Sequence, residues 1–224
     1  MRKIANGIKR FQQKVFPHYR QEFEGLATSQ SPEALLITCS DSRVVPELFT
    51  QSRPGELFVY RNAGNIVPAY RAEDGSGTLA TIEYAVAVLH VKNLIICGHS
   101  DCGAMKGVLH PERVAELPVV DKWLRQAEAA RRIVCEHHRH LSDQDKLPIL
   151  IRENVLAQLE SVKTHPSVAL AMSQGELELH GLYYDLSTGS VSAYNHSAGD
   201  FEPVQDLLPS AAPANRFRKV WQAA

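Results

Sequence analysis

Short apolar runs that end in turn residues constrain the fold of this chain more than any other feature. The runs are residues 34–39, 57–60 and 94–97. Segments this short and apolar are typical of buried strands. Between the second and third runs, apolar residues recur at helical spacing, at Leu79, Ile82, Val86 and Leu89. Because strands that alternate with helices favour parallel pairing, the sequence predicts an α/β fold with a central, mainly parallel sheet flanked by helices.

Both ends of the chain depart from this alternation. Residues 1–27 are predicted to form two helices separated near Pro17, the first with apolar residues at helical spacing. We expect an amphipathic arm that packs on the body of the protein or on a second subunit. Residues 177–186 and 190–195 are predicted to form a C-terminal antiparallel hairpin.

No boundary in the sequence indicates a second domain. We expect residues 1–202 to form one α/β domain, with residues 1–27 as a helical arm for dimer packing. Residues 203–224 are rich in proline, alanine and polar residues, so this tail is predicted to be either disordered or an assembly contact.

Composition excludes several classes of partner. With 44% hydrophobic residues, 22% charged residues and a net charge of −1, the chain is ordinary for a globular protein and gives no support for nucleic-acid binding. No apolar run approaches the ~20 residues of a membrane span. Residues 1–16 are basic but have neither a continuous apolar core nor a serine, so we expect no targeting signal and a cytoplasmic protein.

Candidate metal ligands stand at the ends of two apolar runs. Cys39 ends the first run, and His99 and Cys102 follow the third run with a spacing of three. Thiolate and imidazole are ligand types that zinc prefers, and the carboxyl ends of parallel strands are where α/β proteins bind ligands. Three protein ligands leave a fourth tetrahedral position for water, as a hydrolytic zinc site requires.

Two alternatives remain open for these three residues. They could be buried structural thiols beside a core histidine, or they could hold a structural zinc, which would want a fourth cysteine or histidine. Cys97 and Cys135 have no ligand at a suitable spacing, and a chain of this size without a secretion signal does not need disulfides. The histidines within residues 137–140 point in different directions on a helix, so we interpret them as a solvated helix end.

Four short motifs together resemble the β-class carbonic anhydrases. They are Cys39-Ser-Asp-Ser-Arg43, Arg61-Asn-Ala-Gly-Asn65, Glu83-Tyr-Ala85 and Gly98-His-Ser-Asp-Cys-Gly103. The resemblance runs from about residue 11 to about residue 200, and the subgroup that the chain resembles most is the plant-type and bacterial cyanate-operon enzymes. It implies one zinc ion per subunit and the reversible hydration of carbon dioxide to bicarbonate. It also implies that residues 61–65 form a loop that shapes the site.

By this resemblance, Cys39, His99 and Cys102 bind zinc, and Asp41 with Arg43 is the catalytic dyad. The chemistry agrees, because an ionised carboxylate held by a planar guanidinium accepts hydrogen bonds only and can orient a zinc-bound hydroxide for attack on carbon dioxide. In a closed form of the family, the aspartate binds zinc instead. The closing subgroup has a tryptophan three residues before the first cysteine, where this chain has Leu36, so we predict an open site.

Relatives also line the carbon dioxide pocket with residues from two subunits. The matching positions are Gln30, Phe58 and Tyr84 from a partner, and Ala63 and Gly103 from the zinc-bearing subunit. Gln30 would donate to the oxygen that becomes negative during hydration, and the apolar side chains would wall the pocket. A site of this kind implies a homodimer or a larger assembly of dimers.

Two other functions stay open on the sequence alone. The same site could hydrolyse carbonyl sulfide or carbon disulfide, which are isoelectronic with carbon dioxide. Alternatively, the chain could be a non-catalytic assembly component, although it keeps Asp41, Arg43 and all three candidate ligands. The physiological setting is also open, between bicarbonate supply, cyanate breakdown and a carbon-concentrating compartment.

Overall fold

A computed structural model describes residues 1–207 and builds them around one six-stranded sheet. The strands are β1 (Ala34–Cys39), β2 (Leu57–Asn62), β3 (Asn93–His99), β4 (Glu178–Tyr184), β5 (Val191–Asn195) and β6 (Asp200–Pro203). Their order across the sheet is β2-β1-β3-β4-β5-β6. The first four strands in this order pair in parallel, and β5 and β6 join antiparallel. The predicted fold class, including the antiparallel C-terminal strands, is therefore confirmed.

Helices flank the sheet and connect its parallel strands. They are α1 (Arg2–Arg10), α2 (Phe16–Leu26), α3 (Pro46–Thr50), α4 (Gly77–Glu83), α5 (Gly103–Leu109), α6 (Pro118–Leu124), α7 (Glu128–His137), α8 (Asp143–Val162), α9 (Pro166–Ser173) and α10 (Val204–Leu207). In the part of the chain that the structure describes, no helix combines the length and the apolar character needed to cross a membrane.

The N-terminal arm differs in detail from the prediction. The break between its helices is a π-helical turn at Phe11–Val15, and Pro17 lies in the first turn of α2 rather than between the helices. Proline is tolerated there because the first N–H groups of a helix have no intrahelical partner. The arm buries none of its residues, and Ile4 is 61% exposed. Packing of the arm on a second subunit stays a prediction.

Two strands are longer than predicted, and one was missed. β2 includes Arg61 and Asn62, which the sequence placed in a loop, because the parallel ladder with β1 continues through both residues. β3 likewise continues to His99. The unpredicted strand β6 is only four residues long and pairs with β5. The prediction for the tail falls mainly on residues 208–224, which lie outside the described residues, and the domain boundaries stay a prediction.

Helix α8 approaches the sheet closely where two strands carry glycine. A Cβ atom built at Gly98 on β3 or at Gly181 on β4 would lie 2.9 Å from a methyl carbon of Val155 on α8. Fully buried apolar residues of β1 and β3 form one core with this helix. A second buried cluster surrounds Cys39 and Cys102. The carboxyl ends of β1 and β3 are thus part of the protein interior.

Candidate metal centre and its surroundings

Cys39, His99 and Cys102 meet at the carboxyl ends of two neighbouring strands. Cys39 ends β1 and His99 ends β3, and the parallel register of these strands brings the two ends side by side. Cys102 lies at the N-cap position of α5. All three residues are buried, their ligand atoms lie within 4.8 Å of one another, and the two Sγ atoms are 3.9 Å apart. The convergence predicted from the sequence is therefore present in the structure.

The imidazole of His99 is arranged as a metal ligand would be. Its Nδ1 lies 2.9 Å from the carbonyl oxygen of Ser100. Because a carbonyl can only accept, Nδ1 carries the proton, and Nε2 keeps a free lone pair. Within residues 1–207, this buried Nε2 has no hydrogen-bond partner. A metal ion would supply the missing partner, while the bond to Ser100 fixes the ring, as is usual for metal-binding histidines.

The two thiols also fit a cation. The Cys102 thiol, His99 and the backbone N–H of Gly64 favour the thiolate of Cys39 and lower its pKa. The same thiol contact and burial raise the pKa of Cys102, because a second thiolate would lie beside the first in a dry site. A divalent cation would remove this repulsion, so the donor set suits zinc.

Asp41 and Arg43 form a bidentate ion pair beside this centre. The guanidinium donates to the two carboxylate oxygens over 2.9 Å from Nε and 2.7 Å from Nη2. These bonds hold the pKa of the Asp41 carboxyl well below its usual range. Arg43 also donates to the carboxylate of Asp101 over 3.0 Å. In the described chain the ligand cluster has three members, and the carboxylate of Asp41 is not among them.

Arg61 joins the site in a way that the sequence did not indicate. The sequence interpretation placed Arg61 in a loop that shapes the site, whereas the structure places it near the end of β2. Its side chain donates to the carbonyl oxygens of Cys39 over 3.0 Å and Asp41 over 2.7 Å. A charged residue directly after the apolar run 57–60 was the available signal.

Helix α8 carries two further residues that the sequence analysis missed. Asn154 is fully buried and donates to the carbonyl oxygen of Gly64 over 3.1 Å. Gln158 is 2% exposed, donates to Asn154 over 3.0 Å and accepts from the backbone N–H of Val67 over 2.8 Å. The signal was a pair of polar residues four apart within an apolar helical stripe. Together they hold the segment 63–67 beside the ligand cluster.

The predicted pocket residues fall into two groups. Ala63 and Gly103 are chain neighbours of Gly64 and Cys102, so they lie beside the cluster. Phe58 pairs with Leu35, four residues before the end of β1, which places it about 13 Å along the strand from the site.

Tyr84 and Gln30, the other two positions that are predicted to serve a partner's site, also lie away from the metal centre of their own chain. The Tyr84 ring is 6.1 Å from the Phe58 ring, centroid to centroid, and is exposed. Gln30 is exposed in the connection that leads into the start of β1. A single chain does not bring Phe58 and Tyr84 to its own metal centre.

The remaining thiols lie apart from the centre. Cys97 is fully buried on β3, and burial raises its pKa to about 12, so it stays a neutral thiol that donates weakly to the carbonyl oxygen of Gly98. Cys135 lies on α7 and is half-buried. Among the described residues, neither belongs to the ligand cluster.

Comparison with known proteins identifies the family of this chain. A family model described as carbonic anhydrase matches residues 34–191. A carbonic anhydrase of Pseudomonas aeruginosa is 51% identical over 201 residues, which cover 90% of each protein. The solved structure of the beta-carbonic anhydrase CcaA has 43% identity and a TM-score of 0.88 and covers 91% of each chain.

A structure described as one of two tetrameric beta-carbonic anhydrases from Sordaria macrospora is also similar. It has 32% identity and a TM-score of 0.70, and the match covers 86% of this chain and 92% of that one. The family match spans more than half of the chain, and the relatives match it almost end to end. This chain therefore belongs to the β-class carbonic anhydrases, which are zinc enzymes.

Proposed function

We propose that this carbonic anhydrase hydrates carbon dioxide at a zinc ion held by Cys39, His99 and Cys102, with Asp41 and Arg43 as the catalytic dyad. The observation that carries the proposal is the bidentate Asp41–Arg43 pair beside three converging ligand atoms. The unpartnered Nε2 of His99 and the two adjacent thiols support the choice of metal.

Zinc, when bound, would supply a water of lowered pKa as the nucleophile near neutral pH. The protein groups then orient that nucleophile. With its pKa held low by Arg43, the Asp41 carboxylate stays ionised and can only accept hydrogen bonds. It would therefore accept a hydrogen bond only from an attacking oxygen that still carries a proton, and this bond would orient that oxygen toward carbon dioxide.

The contacts of Arg43 favour an open arrangement in which Asp41 stays off the metal. Moving Asp41 onto the metal would break both guanidinium bonds to its carboxylate, and Arg43 is itself held by Asp101. We expect activity to titrate as a single ionisation. A steep, cooperative loss of activity just below pH ~8 would contradict the open arrangement.

We also propose that the enzyme assembles from dimers in which the arm packs on a second copy. The arm exposes the apolar residues Ile4, Ile8, Phe11 and Val15. Its first 21 residues carry six basic and no acidic residues, whereas the rest of the chain carries 18 basic and 25 acidic residues. Tetrameric relatives support the same inference. A dimer would let Gln30, Phe58 and Tyr84 reach a partner's site.

Light scattering on the purified full chain tests the assembly. Replacing Ile4 and Ile8 by Asp should reduce the measured mass, because charge would enter the apolar interface. Asn6→Asp on the same helix is the matched control and should leave the mass unchanged. An unchanged mass for the double variant would refute packing through the arm.

Zinc content and stopped-flow carbon dioxide hydration test the catalytic proposal. We expect one zinc per subunit, and Asp41→Asn should lower kcat about 10- to 100-fold while the zinc stays bound. Asp74→Asn, a change at an exposed carboxylate remote in sequence from the dyad, is the control. Carbonyl sulfide hydrolysis measured in parallel distinguishes the two substrates. Purified protein without stoichiometric zinc, or an Asp41→Asn variant with the full wild-type turnover, would refute the proposal.

A further inference from the structure

The peptide group between Ala63 and Gly64 is held on both of its sides. Its N–H, from Gly64, points at the Sγ of Cys39 over 3.5 Å. Its carbonyl oxygen, from Ala63, accepts a hydrogen bond from the indole Nε1 of Trp123 over 2.8 Å. Because the N–H and C=O of a trans peptide point in opposite directions, fixing the carbonyl also fixes the direction of the N–H.

This peptide needs such a restraint because it precedes a glycine. Gly64 has a φ of +83°, a conformation that glycine adopts freely, so the peptide before it can rotate at little steric cost. The following carbonyl, from Gly64 itself, is held by Asn154. Trp123 is the side chain that holds the peptide facing Cys39.

We infer that Trp123 is a positioning residue of the metal centre, which aims the Gly64 N–H at the Cys39 sulfur. The inference rests on the proposed metal site. A hydrogen bond to a thiolate withdraws charge from the sulfur, so it would tune the bond that the sulfur makes to a metal. The indole bond to the opposite end of the same peptide polarises that peptide and strengthens its N–H as a donor.

The location of Trp123 indicates that its indole N–H positions the Ala63–Gly64 peptide rather than stabilising the fold. Trp123 lies on the short helix α6, whose next residue, Leu124, is buried and anchors the helix in the core. The Trp123 side chain is only partly buried, so in its absence water can satisfy the Ala63 carbonyl, but a water molecule does not fix the direction of that carbonyl. Removing the indole N–H should therefore disturb the direction of the peptide more than the stability of the fold.

Cobalt substitution gives a direct view of the Cys39 sulfur. Trp123→Phe removes the N–H donor and keeps an aromatic ring. In the cobalt-loaded holoenzyme, we expect the sulfur-to-cobalt charge-transfer band of this variant to move to lower energy, because the sulfur electrons are less stabilised. From the zinc-loaded holoenzyme, the variant should release zinc to a chelator about tenfold faster, because the Cys39 sulfur has lost the aligned N–H donor that holds it in position.

Ser161→Ala is the matched control. Ser161 donates over 2.6 Å to the carbonyl oxygen of Val67, which lies in the same segment but in a peptide that does not face Cys39. This variant should keep the wild-type band and release rate. Thermal unfolding of both variants shows whether a change is confined to the site.

The outcomes separate this inference from the proposal beneath it. Wild-type protein that takes up neither cobalt nor zinc refutes the metal site and the role of Trp123 with it. If wild-type protein loads fully, a Trp123→Phe variant with unchanged band and release rate overturns the role of Trp123 alone. Equal shifts in the Trp123 and Ser161 variants would also overturn it, because they would show a general loosening of the segment.

Discussion

The buried pair of Asn154 and Gln158 makes a quantitative prediction about stability. Asn154→Leu would leave two buried groups without partners, namely the carbonyl oxygen of Gly64 and an N–H of Gln158. Gln158→Met would likewise strand the N–H of Val67 and the Oδ1 of Asn154. With about 1–3 kcal/mol for each unsatisfied buried group, we expect each single variant to lose about 3 kcal/mol of unfolding free energy.

The double variant should lose no more unfolding free energy than either single variant. With both side chains apolar, only the Gly64 carbonyl and the Val67 N–H lack partners, so two groups are stranded instead of four. We therefore expect a loss of about 3 kcal/mol again, and a coupling energy of about 3 kcal/mol that makes the two changes strongly non-additive.

Urea unfolding at one fixed protein concentration measures all four proteins of this cycle. Leucine and methionine are at least as large as the side chains that they replace, so neither change leaves a cavity. The fixed concentration holds the contribution of oligomerisation constant. A double variant that lost the sum of the single losses, about 6 kcal/mol, would refute the reasoning, because it would show that Asn154 and Gln158 act independently.

Three further outcomes are expected. Gly98→Ala should cost about 1–3 kcal/mol by overpacking against α8, and combining it with Val155→Ala should cost less than the sum of the two changes in urea unfolding. Burial lowers the pKa of His165 below 6.5. Below pH 6.5 the unfolded chain therefore binds a proton at this histidine that the folded protein does not bind. The free energy of unfolding should be constant above pH 6.5 and should fall below it by at most about 1.4 kcal/mol per pH unit. A series of unfolding measurements at different pH should show a shallower fall for His165→Gln. Cys102→Ser should bring the zinc content well below one per subunit and abolish hydration, measured by metal analysis and stopped flow, and retention of both would contradict the ligand assignment.

Local sequence signals were sufficient for the parallel strands. Residues 34–39 are apolar throughout and buried throughout, so composition and burial agree along the whole of β1. The extension of β2 through Arg61 was not predictable, because it depends on the pairing of Arg61 with Thr38 on β1, which is distant in the chain. β6 carries alternating acidic residues and a proline, and it is fixed by distant contacts, such as the packing of Phe201 against Tyr194.

The candidate ligands were predictable because the ability to bind a metal follows from the residue type itself. Cysteine and histidine at strand ends narrow the possibilities sharply, and the structure brings these side chains together. The residues that support the site cannot be recognised from their residue type in this way. Trp123 and Asn154 bond to backbone carbonyls 60 and 90 residues away, and every residue type presents the same carbonyl. Only the fold determines which carbonyl they meet.

Arginine side chains connect the proposed dyad to the ligand cluster. Arg43 binds the carboxylates of Asp41 and Asp101, and Asp101 lies between two candidate ligands of the second segment. Arg61 binds the backbone of the first segment at Cys39 and at Asp41. Arg43, which orients Asp41, is therefore also the residue that ties the first ligand segment to the second. Because exposed ion pairs contribute little to stability by themselves, the value of Arg43 lies in the geometry that it imposes on both segments at once, while Arg61 fixes the backbone of the first segment.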